Sequence, residues 1–490
     1  MQERKIAIID LGSNSVRMNI YLVEGDFFKL IDQGEVKVRI SEGMGEELTI
    51  KEVPLSRLLS TLTLFREIID VYQVDEVHPI ATAAVRTAKN QAEILKRIKK
   101  ESGFEFEVIS GMEEAKLDYL GVINSLSIKD CVIIDLGGGS TEIVLVKDRK
   151  MVEAKSFPFG SVNITESTNK KKEARTIIRE AYEEVPFLKE AKGYPLVGLG
   201  GTIRTLAKMH RQEISWPIYT IHGYEMSSDD VKEKLSVIRS ASTEELAETD
   251  GVSPDRVDIL KRGILPFEVL MEVISAKRII ISMQGVRDGK LYKTIFKKKD
   301  RINNNLMEEG INQMKHRYGL GMAANLVVCE HAVKLYEALY DNKGKDLKKL
   351  LRVAAQLYDV GRHMDYFSSE LHGFYILIQS DFPGLSTMER IKAAFIIAFA
   401  GLREHRLNLK PYLKLLNSDE LKELRDVSLF LALAMRLERT GSHKISEILQ
   451  SEECLCLKHG ASDIKVEKKA SEQVIELLEE RYGKKIDFCE

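Results

Sequence analysis

Residues 132–146 combine two apolar runs with a glycine-rich turn between them. Residues 132–134 and 143–146 are β-branched and apolar, which predicts a buried β-hairpin with a glycine tip. Consecutive glycines let the backbone approach a ligand closely and direct N–H groups toward phosphate oxygens. Asp135 and Glu142 flank the turn, and carboxylates are the hard oxygen ligands that Mg²⁺ prefers. Taken alone, the segment also fits a tight hairpin with solvated acids.

The same plan occurs earlier in the chain, over residues 6–23. An apolar run leads to Asp10, a small polar tip containing Gly12 and Ser13 follows, and a second apolar run ends at Val23. Two such hairpins predict two related halves that face one cleft, with a phosphate-binding turn on each side. This plan resembles that of actin-like and sugar-kinase-like ATPases. The repetition therefore favours phosphate binding over a purely structural hairpin.

The composition is that of an ordinary globular protein with several domains. The chain has 490 residues, enough for roughly three domains that each bury a core. Apolar residues make up 44% of the chain and charged residues 30%, which argues against a disordered protein. The net charge is −2, so no global field attracts nucleic acid or a membrane surface, and a polyanion must be bound by a local patch. We expect no nucleic-acid partner.

Cysteine usage and the start of the chain predict a cytoplasmic protein. The cysteines are odd in number and include no Cys-x-x-Cys pair, which predicts reduced thiols and no zinc site. The first residues lead into a strand without a signal peptide. The longest apolar run, residues 393–402, is too short to span a bilayer. The five cysteines are Cys131, Cys329, Cys454, Cys456 and Cys489.

Changes of pattern along the chain predict four domains. Alternating strand and helix patterns predict α/β domains over residues 1–122 and 123–300. The second domain ends in a hydrophilic segment, residues 297–305, which is the clearest boundary. Residues 301–440 have helical patterns, and residues 441–490 are expected to form a small α/β tail.

Local patterns predict individual elements within these domains. In the first domain we expect a strand over residues 35–40 and helices over residues 56–71 and 91–102. In the tail, residues 453–457 and 464–467 are the strand candidates.

With these motifs in view, the chain resembles the exopolyphosphatase and guanosine pentaphosphate phosphohydrolase family. The motifs occur in the family's order over residues 1–300, and jointly they are highly specific. The resemblance implies two ribonuclease-H-like α/β domains of the actin-like ATPase superfamily, followed more loosely by an all-α HD-like domain. The matching segments are residues 10–15 (Asp-Leu-Gly-Ser-Asn-Ser), 81–86 (Ala-Thr-Ala-Ala-Val-Arg), 109–115 (Ile-Ser-Gly-Met-Glu-Glu-Ala), 135–142 (Asp-Leu-Gly-Gly-Gly-Ser-Thr-Glu), 159–162 (Phe-Gly-Ser-Val), 200–202 (Gly-Gly-Thr) and 287–289 (Arg-Asp-Gly).

The resemblance places the family's catalytic glutamate at Glu114, the acid directly before the alanine, rather than at Glu113. A carboxylate facing a phosphate-filled cleft has its pKa raised by like charge, toward that of a useful base. The structural alternative is a pair of acids that favour a helix N-terminus. Arg86 is expected to neutralise phosphate charge with its fork of N–H groups, the alternative being a surface ion pair.

The remaining site candidates are metal ligands and phosphate donors. Hydrolysis of a phosphoanhydride requires a fixed phosphoryl group, neutralised charge and a water aimed in line. Asp135 and Glu142 are expected to hold Mg²⁺, and Asp10 to reach the same ion through water. A monovalent cation is a second cofactor candidate. The phosphate-binding candidates are Ser13, Asn14, Gly137, Gly138, Gly139, Ser140, Thr141, Gly200, Gly201, Thr202 and Arg287.

The helical region departs from the pattern of an HD metal site, which needs a distant His, an adjacent His-Asp pair and a further Asp. His331 matches the first position, but the pair is Tyr358-Asp359, and neither His363 nor His372 restores the missing ligand. A phenol is a poor ligand beside imidazole, so we expect a metal-free scaffold. The basic residues of this region either line a groove for a long anionic chain or lie on solvated helix faces. They are Lys315, His316, Arg317, Arg352, Arg362, Arg403, His405 and Arg406.

Three functions fit these motifs. The leading one is an exopolyphosphatase that removes terminal phosphate processively from inorganic polyphosphate. The second is cleavage of the 5′ γ-phosphate of guanosine pentaphosphate, which the motifs do not separate from the first. The third is a non-catalytic sensor of phosphorylated ligands, against which intact Glu114, Asp135 and Glu142 argue. A kinase is disfavoured because the Glu114 motif positions water rather than an acceptor alcohol. We expect a homodimer.

Overall fold

In the described residues, the chain forms three β-sheets, helices that pack on these sheets, and a group of helices that pack on one another. The computed structural model describes residues 3–167, 171–296, 302–340, 345–402, 409–451, 454–460 and 463–490. Within these ranges, none of the helices combines the length and apolar character needed to cross a bilayer. The strands are β1 (Arg4–Leu11), β2 (Val16–Glu24), β3 (Phe27–Val36), β4 (Glu76–Ala81), β5 (Glu107–Val108), β6 (Cys131–Leu136), β7 (Thr141–Lys147), β8 (Lys150–Phe157), β9 (Leu196–Leu199), β10 (Glu225–Ser227), β11 (Arg278–Ile281), β12 (Ile445–Gln450), β13 (Cys454–His459) and β14 (Lys485–Cys489).

The chain divides into two units. The first comprises Met1–Trp216 and Ile221–Asn304, and the second comprises Pro217–Thr220 and Asn305–Glu490. The finer predicted boundaries, after residues 122 and 440, remain predictions. The helices of the first unit are α1 (Glu52–Tyr72), α2 (Ala83–Thr87), α3 (Gln91–Ser102), α4 (Gly111–Ile123), α5 (Asn163–Ser167), α6 (Lys171–Glu183), α7 (Pro186–Glu190), α8 (Gly201–Glu213), α9 (Ser228–Ser240), α10 (Thr243–Glu248), α11 (Val257–Gly263), α12 (Leu265–Val273) and α13 (Val286–Ile295). Those of the second are α14 (Leu306–Arg317), α15 (Met322–Leu339), α16 (Lys345–Leu357), α17 (Ser369–Gln379), α18 (Thr387–Ala400), α19 (Lys410–Leu413), α20 (Ser418–Leu437) and α21 (Lys465–Tyr482).

The first predicted hairpin, β1 and β2, forms the centre of a five-stranded mixed sheet. β1 pairs antiparallel with β2 and parallel with β4, and the strand order is β3-β2-β1-β4-β5. Alternate residues of β1 enter different cores, since Ala7 and Ile9 pack in one and Ile6 and Ile8 in another. Because both faces are covered, the strand has a continuous apolar sequence. Asp10 therefore lies near the end of a rigid, buried strand.

The second predicted hairpin, β6 and β7, occupies the same place in a six-stranded sheet. The strand order is β10-β11-β9-β6-β7-β8. Asp135 lies directly opposite Glu142 in the antiparallel pair. β9 is parallel to β6 as β4 is parallel to β1, so the two sheets share one plan. The prediction of two mixed α/β sheets is confirmed.

Helix α4, which carries Glu114, packs against the second sheet and against α13. Its apolar residues join Ile133 and Val144 of that sheet in one core. The two helices approach closely, because a Cβ atom on Gly121 of α4 would lie 2.7 Å from the carbonyl oxygen of Gly285, just before α13. This close packing fixes the position of α4.

Four strands of the first unit differ from the sequence-based expectation. The strand predicted over residues 35–40 lies earlier, as β3, and ends at Val36. β8, β10 and β11 were not predicted. β3 and β8 are edge strands whose residues are mostly exposed or half-buried, so their sequences have no clear apolar period. The helices expected over residues 56–71 and 91–102 are present as α1 and α3.

The second unit consists of helices α14 to α20 and a tail. α18 lies at its centre and packs against α16, α17 and α20. Nearly every residue of α18 from Ile391 to Ala400 is buried. The longest apolar run of the sequence is thus a core helix, as its length predicts.

The tail contains the sheet β12-β13-β14 and helix α21. The strand expected over residues 453–457 corresponds to β13, although residue 453 lies outside the described residues. The strand expected over residues 464–467 is wrong, because α21 begins there. Apolar and charged residues alternate in this segment, whereas the face that α21 buries includes two polar side chains, which hides the helical period. The residues buried on α21 are Glu467, Ser471, Val474 and Leu478.

A disulfide joins Cys456 to Cys489, whose Cα atoms are 5.8 Å apart. The prediction of five reduced thiols is therefore wrong for this pair. The parallel pairing of β13 with β14 puts Cys456 opposite Asp487, so Cys489 is its diagonal neighbour. The two cysteines are 33 residues apart in the sequence, and their spacing alone does not indicate that their strands pair. Cys131 and Cys329 are buried thiols.

Candidate active site

A cleft of about 100 Å³ lies between the turns of the two hairpins. The turns touch each other, because a Cβ atom on Gly139 would stand 2.7 Å from the hydroxyl oxygen of Ser13. Only glycine permits this approach. The predicted site residues that line the cleft are Asp10, Ser13, Asn14, Glu114, Asp135, Gly137, Gly138, Gly139, Ser140, Gly200 and Gly201.

Hydrogen bonds to its carbonyl oxygens fix the orientation of the turn in the second hairpin. Residues 161–163 donate one hydrogen bond of 2.9 Å to each carbonyl oxygen of residues 137–139. The C=O and N–H of a trans peptide point in opposite directions. The N–H groups of residues 138–140 therefore point away from this support. They are donors of the kind that phosphate oxygens need.

The turn of the first hairpin is supported in the same way. The N–H of Arg39 donates to the carbonyl oxygen of Asn14 at 2.8 Å, and the N–H of Ser41 donates to that of Ser13 at 3.3 Å. The N–H groups of Asn14 and Ser15 consequently point away from residues 39–41. The segment predicted as a strand thus serves to orient the turn.

A third turn brings a helix N-terminus to the cleft. Gly200 has a φ of +94°, a conformation that favours glycine, and α8 begins at Gly201. The N-terminus of a helix carries partial positive charge and N–H groups that suit an anion. Arg256 lies beside Gly201 and lines the same cleft.

Three predicted phosphate-binding residues do not line this cleft. Thr141 is buried, and its hydroxyl donates to the carbonyl oxygen of Phe159 at 2.6 Å. Thr202 is buried in the first turn of α8. Arg287 lines an adjacent cavity of about 50 Å³ together with Asp135. The phosphate-binding roles of all three remain predictions.

The two neighbouring glutamates at the start of α4 have different environments. Glu113 forms a capping box, in which its carboxylate accepts a hydrogen bond from the N–H of Ser110 at 3.1 Å. Glu114 is only 6% exposed, and its Oε2 accepts a hydrogen bond from Nη1 of Arg86 at 2.9 Å. The same nitrogen donates to the carbonyl oxygen of Ile109 at 2.9 Å. The helix-start alternative therefore describes Glu113, and Arg86 is anchored against Glu114.

Burial raises the pKa of Glu114 from its ordinary value of 4.5 to about 7. The positive charge of Arg86 opposes this rise, whereas Asp135 and Asp10 add to it. A carboxylate with such a pKa exchanges a proton near neutral pH, as a general base must.

Glu114 belongs to a group of five carboxylates that we call the acid cluster. Glu114, Asp118 and Glu142 are buried, and Asp10 and Asp135 are half-buried. Burial raises the pKa of every member, and that of Asp135 rises from 3.8 to about 6. Glu142 accepts a hydrogen bond from a serine hydroxyl through Oε1 at 2.7 Å, and Nη2 of Arg86 lies 4.0 Å from the same oxygen. Its Oε2 has no hydrogen-bond partner among the described residues.

Asp118 is the member of the acid cluster that the sequence motifs did not indicate. It lies one turn after Glu114 on α4 and is 1% exposed. Burial raises its pKa well above the ordinary value, and the other four acids raise it further. The signal was present as an i, i+4 spacing, which puts both carboxylates on one face of the helix.

Several arginines lie near the acid cluster. Arg17 stands directly opposite Asp10 in the first hairpin. Arg204 donates to two backbone carbonyl oxygens at 3.3 Å, and burial together with Arg17 and Arg287 lowers its pKa to about 10. Burial, together with the charge of Arg17, also lowers the pKa of Arg256. Sequence reasoning found only Arg287 of these four, although the register of the hairpin predicts the place of Arg17.

The oxygen donors of the acid cluster fit a hard divalent cation. Asp135 and Glu142 face each other across the β6–β7 pair, and Oε2 of Glu142 has no partner among the described residues. No three Asp, Glu, His or Cys side chains converge as metal ligands in the described part of the chain. A divalent cation held here by one or two carboxylates would need water and substrate phosphates to complete its shell.

The HD-like positions of the second unit lie in or beside its helical core. His331 is buried, which lowers its pKa to about 4, and its Nδ1 lies 3.6 Å from Oε1 of Glu438. Asp359 accepts a hydrogen bond of 2.7 Å from a buried asparagine side chain. His363 is exposed and His372 half-buried. The metal-free scaffold stays a prediction.

Lys315 cannot be part of the predicted basic groove. Its ammonium group is buried and donates to Oε1 of Gln356 at 2.6 Å, so it cannot bind an anionic chain at the surface. Arg362 is exposed, with its guanidinium over the rings of Tyr358 and Tyr366. His316, Arg317 and Arg352 are also exposed, and Arg403, His405 and Arg406 lie outside the described residues.

Comparison with known families agrees with this site. Residues 20–298 match the Ppx/GppA phosphatase family, and residues 307–479 match its domain III. The chain belongs to the Ppx/GppA phosphatase family. Ppx/GppA members are phosphoanhydride hydrolases, among them proteins named exopolyphosphatase and guanosine-5′-triphosphate,3′-diphosphate pyrophosphatase. The family resemblance drawn from the motifs is confirmed.

Relatives with different names match different lengths of the chain. A bifunctional 3-dehydroquinate synthase/phosphatase of Fusobacterium nucleatum is 29% identical over 56% of this chain and 44% of its own length. A guanosine-5′-triphosphate,3′-diphosphate pyrophosphatase of Pseudoalteromonas translucida is 26% identical over 84% of this chain and 82% of its own length. A putative exopolyphosphatase of Haemophilus influenzae is 27% identical over 59% and 91%, respectively.

The crystal structure of the Ppx/GppA family member of Aquifex aeolicus matches this chain with a TM-score of 0.52 and 30% identity. The match covers 61% of this chain and 99% of that chain. It confirms that the two mixed sheets have the fold of this family.

The raised pKa values predict that the metal-free protein loses stability as pH rises. In the folded chain Glu114 and Asp135 keep their protons up to about pH 7 and about pH 6, against ordinary values of 4.5 and 3.8. The folded state thus binds more protons than the unfolded state in this window, so the free energy of unfolding decreases as pH rises from about 4 to about 7. Urea unfolding in EDTA measures this decrease.

The control is the double variant Glu114→Gln, Asp135→Asn, whose amides do not titrate. Its free energy of unfolding should decrease less over the same pH window. An equal decrease in both proteins would contradict the assigned pKa values.

Proposed function

We propose that this Ppx/GppA family member is an exopolyphosphatase that releases terminal phosphate from inorganic polyphosphate. The observation that carries the proposal is the position of Glu114, a buried carboxylate with a pKa of about 7 at the cleft between two glycine-containing turns. A group of this pKa can accept a proton from water at neutral pH. The turns beside it offer the donors that would fix a phosphoryl group.

The donors around the cleft suit a terminal phosphate bound from several sides. The N–H groups of residues 138–140 and 14–15 approach from the two hairpins, and the N-terminus of α8 adds a third set. Arg17 and Arg256, which also line the cleft, can pair with the next phosphates. A polyphosphate chain carries the same charge at every unit, so arginine side chains can bind it without contacts to any other chemical group.

Glu114 would accept the proton of the attacking water while the remaining chain leaves from the opposite side of phosphorus. Arg86 holds this carboxylate through the 2.9 Å hydrogen bond and is itself anchored to a backbone carbonyl. Nη2 of Arg86 lies 4.0 Å from Oε1 of Glu142, so one guanidinium lies beside both Glu114 and Glu142. Partial neutralisation of phosphate charge is the second task of Arg86.

Asp135 and Glu142 would hold Mg²⁺, with Asp10 reaching it through water. The bound ion stabilises the negative charge that develops on the phosphate oxygens. Neutralisation of these acids also removes their repulsion of an anionic substrate. A monovalent cation remains a second cofactor candidate, implied by the family resemblance alone.

Hydrolysis of guanosine pentaphosphate at its 5′ γ-phosphate is the second candidate function. The length of the match favours it, because the Pseudoalteromonas translucida pyrophosphatase aligns with 84% of this chain and the Haemophilus influenzae putative exopolyphosphatase with 59%. Both substrates end in a phosphoanhydride that the same cleft can take. A non-catalytic sensor is disfavoured, since binding alone needs no base with a pKa of about 7.

For the second unit the proposal is a metal-free HD-like scaffold, with residues 301–440 and 441–490 as separate domains. Two copies of the chain would pair as a homodimer. A cytoplasmic location agrees with both candidate substrates and stays a prediction.

Replacing the base tests the catalytic assignment. Glu114→Gln keeps the size and hydrogen bonding of the side chain but cannot accept a proton, so kcat should fall by roughly 10²–10⁴-fold while substrate still binds. Phosphate release and equilibrium binding of polyphosphate measure the two effects.

Glu113→Gln is the matched control, because the neighbouring glutamate caps the helix and is exposed. This variant should keep near-wild-type kcat. Retention of more than about a tenth of the wild-type rate in Glu114→Gln would exclude it as the general base.

A direct comparison of substrates separates the two candidate functions. One preparation of the full chain with Mg²⁺ is given long polyphosphate or guanosine pentaphosphate, and phosphate release is followed, with Glu114→Gln as the blank. The proposal predicts a higher kcat/KM for polyphosphate and loss of both activities in the blank. Release from guanosine pentaphosphate alone would favour the second candidate.

A further inference from the structure

Asp118 is a buried carboxylate that the proposed reaction leaves without a role. It is 1% exposed, and neither of its oxygens has a hydrogen-bond partner among the residues that the structure describes. The charged groups that act on it most strongly are the other four carboxylates of the acid cluster. Burying an ionised carboxylate among like charges is strongly unfavourable unless a cation compensates for it.

The place of Asp118 connects it with a small cavity beside the cleft. Oδ1 of Asp118 lies 3.1 Å from the point where a Cβ atom of Gly285 would stand. Gly285 lines the cavity of about 50 Å³ to which Asp10 and Asp135 also contribute, together with Arg17, Arg204 and Arg287. The same Cβ position would be 3.0 Å from a methyl group of Leu199, so glycine at position 285 lets Asp118 pack closely against the residue that lines this cavity.

We infer that Asp118 helps to hold the divalent cation of the acid cluster by accepting hydrogen bonds from water molecules bound to the cation. This inference rests on the metal assignment within the proposed function. Contact through water is compatible with the described residues, in which no three Asp, Glu, His or Cys side chains converge as metal ligands. Mg²⁺ keeps several of its waters when proteins bind it. A cavity of about 50 Å³ has room for such waters, each of which needs about 10–15 Å³.

A protonated, purely structural Asp118 is the alternative. An asparagine has nearly the shape of a protonated aspartic acid, so the variant Asp118→Asn would then change little. If Asp118 instead carries negative charge toward a hydrated cation, the amide weakens the binding of that cation. The two explanations therefore differ in metal affinity.

The test measures Mn²⁺ binding to the full-length protein without substrate, by electron paramagnetic resonance of unbound Mn²⁺. Asp118→Asn should raise the Kd for Mn²⁺ by about 10–100-fold, the usual loss when a hydrogen-bonding partner around a metal is removed. Asp118→Leu, which removes the charge and keeps an apolar residue of similar size, should do the same. Asp70→Asn, an exposed helical position on α1, is the matched control and should bind as the wild type does.

Thermal unfolding supplies a second readout and shows that the variants fold. In EDTA, Asp118→Asn should be about as stable as the wild type, because the amide has nearly the shape of the carboxyl group and adds no buried charge. The rise in Tm on adding Mn²⁺ should be smaller than in the wild type. Wild-type Mn²⁺ affinity in Asp118→Asn and Asp118→Leu would overturn the inference.

The same measurements keep the inference distinct from the proposed function. Weaker Mn²⁺ binding in Asp135→Asn but not in Asp118→Asn would overturn the role of Asp118 and leave the metal assignment intact. Weaker Mn²⁺ binding in Asp118→Asn, in a protein that releases no phosphate from either substrate, would support the inference and overturn the proposed function.

Discussion

Repulsion among buried carboxylates is the constraint on which the first unit depends. The ends of β1 and β6, the start of β7 and the first two turns of α4 bring five acids together. Burial raises the pKa of each. Only part of this repulsion is offset within the chain. Arg86 lies beside Glu114, a serine hydroxyl donates to Glu142, and the charges of Arg17, Arg204 and Arg287 act on Asp10 and Asp135. The strands tolerate the remainder because they are anchored in apolar cores on both faces. A cation and a phosphate group would complete the balance of charge.

The two hairpins share one plan but differ in the residue opposite the aspartate. Asp10 faces Arg17 in the first, whereas Asp135 faces Glu142 in the second. One hairpin therefore pairs its acid with a cation, and the other gathers two acids at one point. This difference explains how related turns can serve different purposes, since the first side suits phosphate and the second suits a divalent metal.

The sequence was sufficient for the two central hairpins and insufficient for the edges of the sheets. Apolar runs ending in Asp10 and Asp135 predicted both hairpins, because strands buried on both faces leave an unbroken pattern. β3 and β8 were misplaced or missed since edge strands lack that pattern. The start of α21 was taken for a strand because its buried face includes Glu467 and Ser471. The pairing of Cys456 with Cys489 depends on strand register, which spacing does not encode.

The candidate site was predictable where a motif is local. Glycine turns, Glu114 and the acids next to the turns are continuous in sequence, so the motifs contain them. Arg204 and Arg256 reach the same region from separate elements, and only the folded chain brings them there. Asp118 was overlooked although its spacing from Glu114 was visible, because an isolated acid on a helix usually faces solvent.

The central claim is that a terminal phosphate binds between the two turns beside Glu114 and a divalent cation. The most direct measurement is a crystal structure of Glu114→Gln with a short polyphosphate and Mn²⁺, the ion being located by anomalous scattering. The terminal phosphorus should lie between residues 13–15 and residues 137–140, with Mn²⁺ next to Asp135 and Glu142. Polyphosphate bound outside this cleft, or Mn²⁺ bound away from both carboxylates, would contradict it.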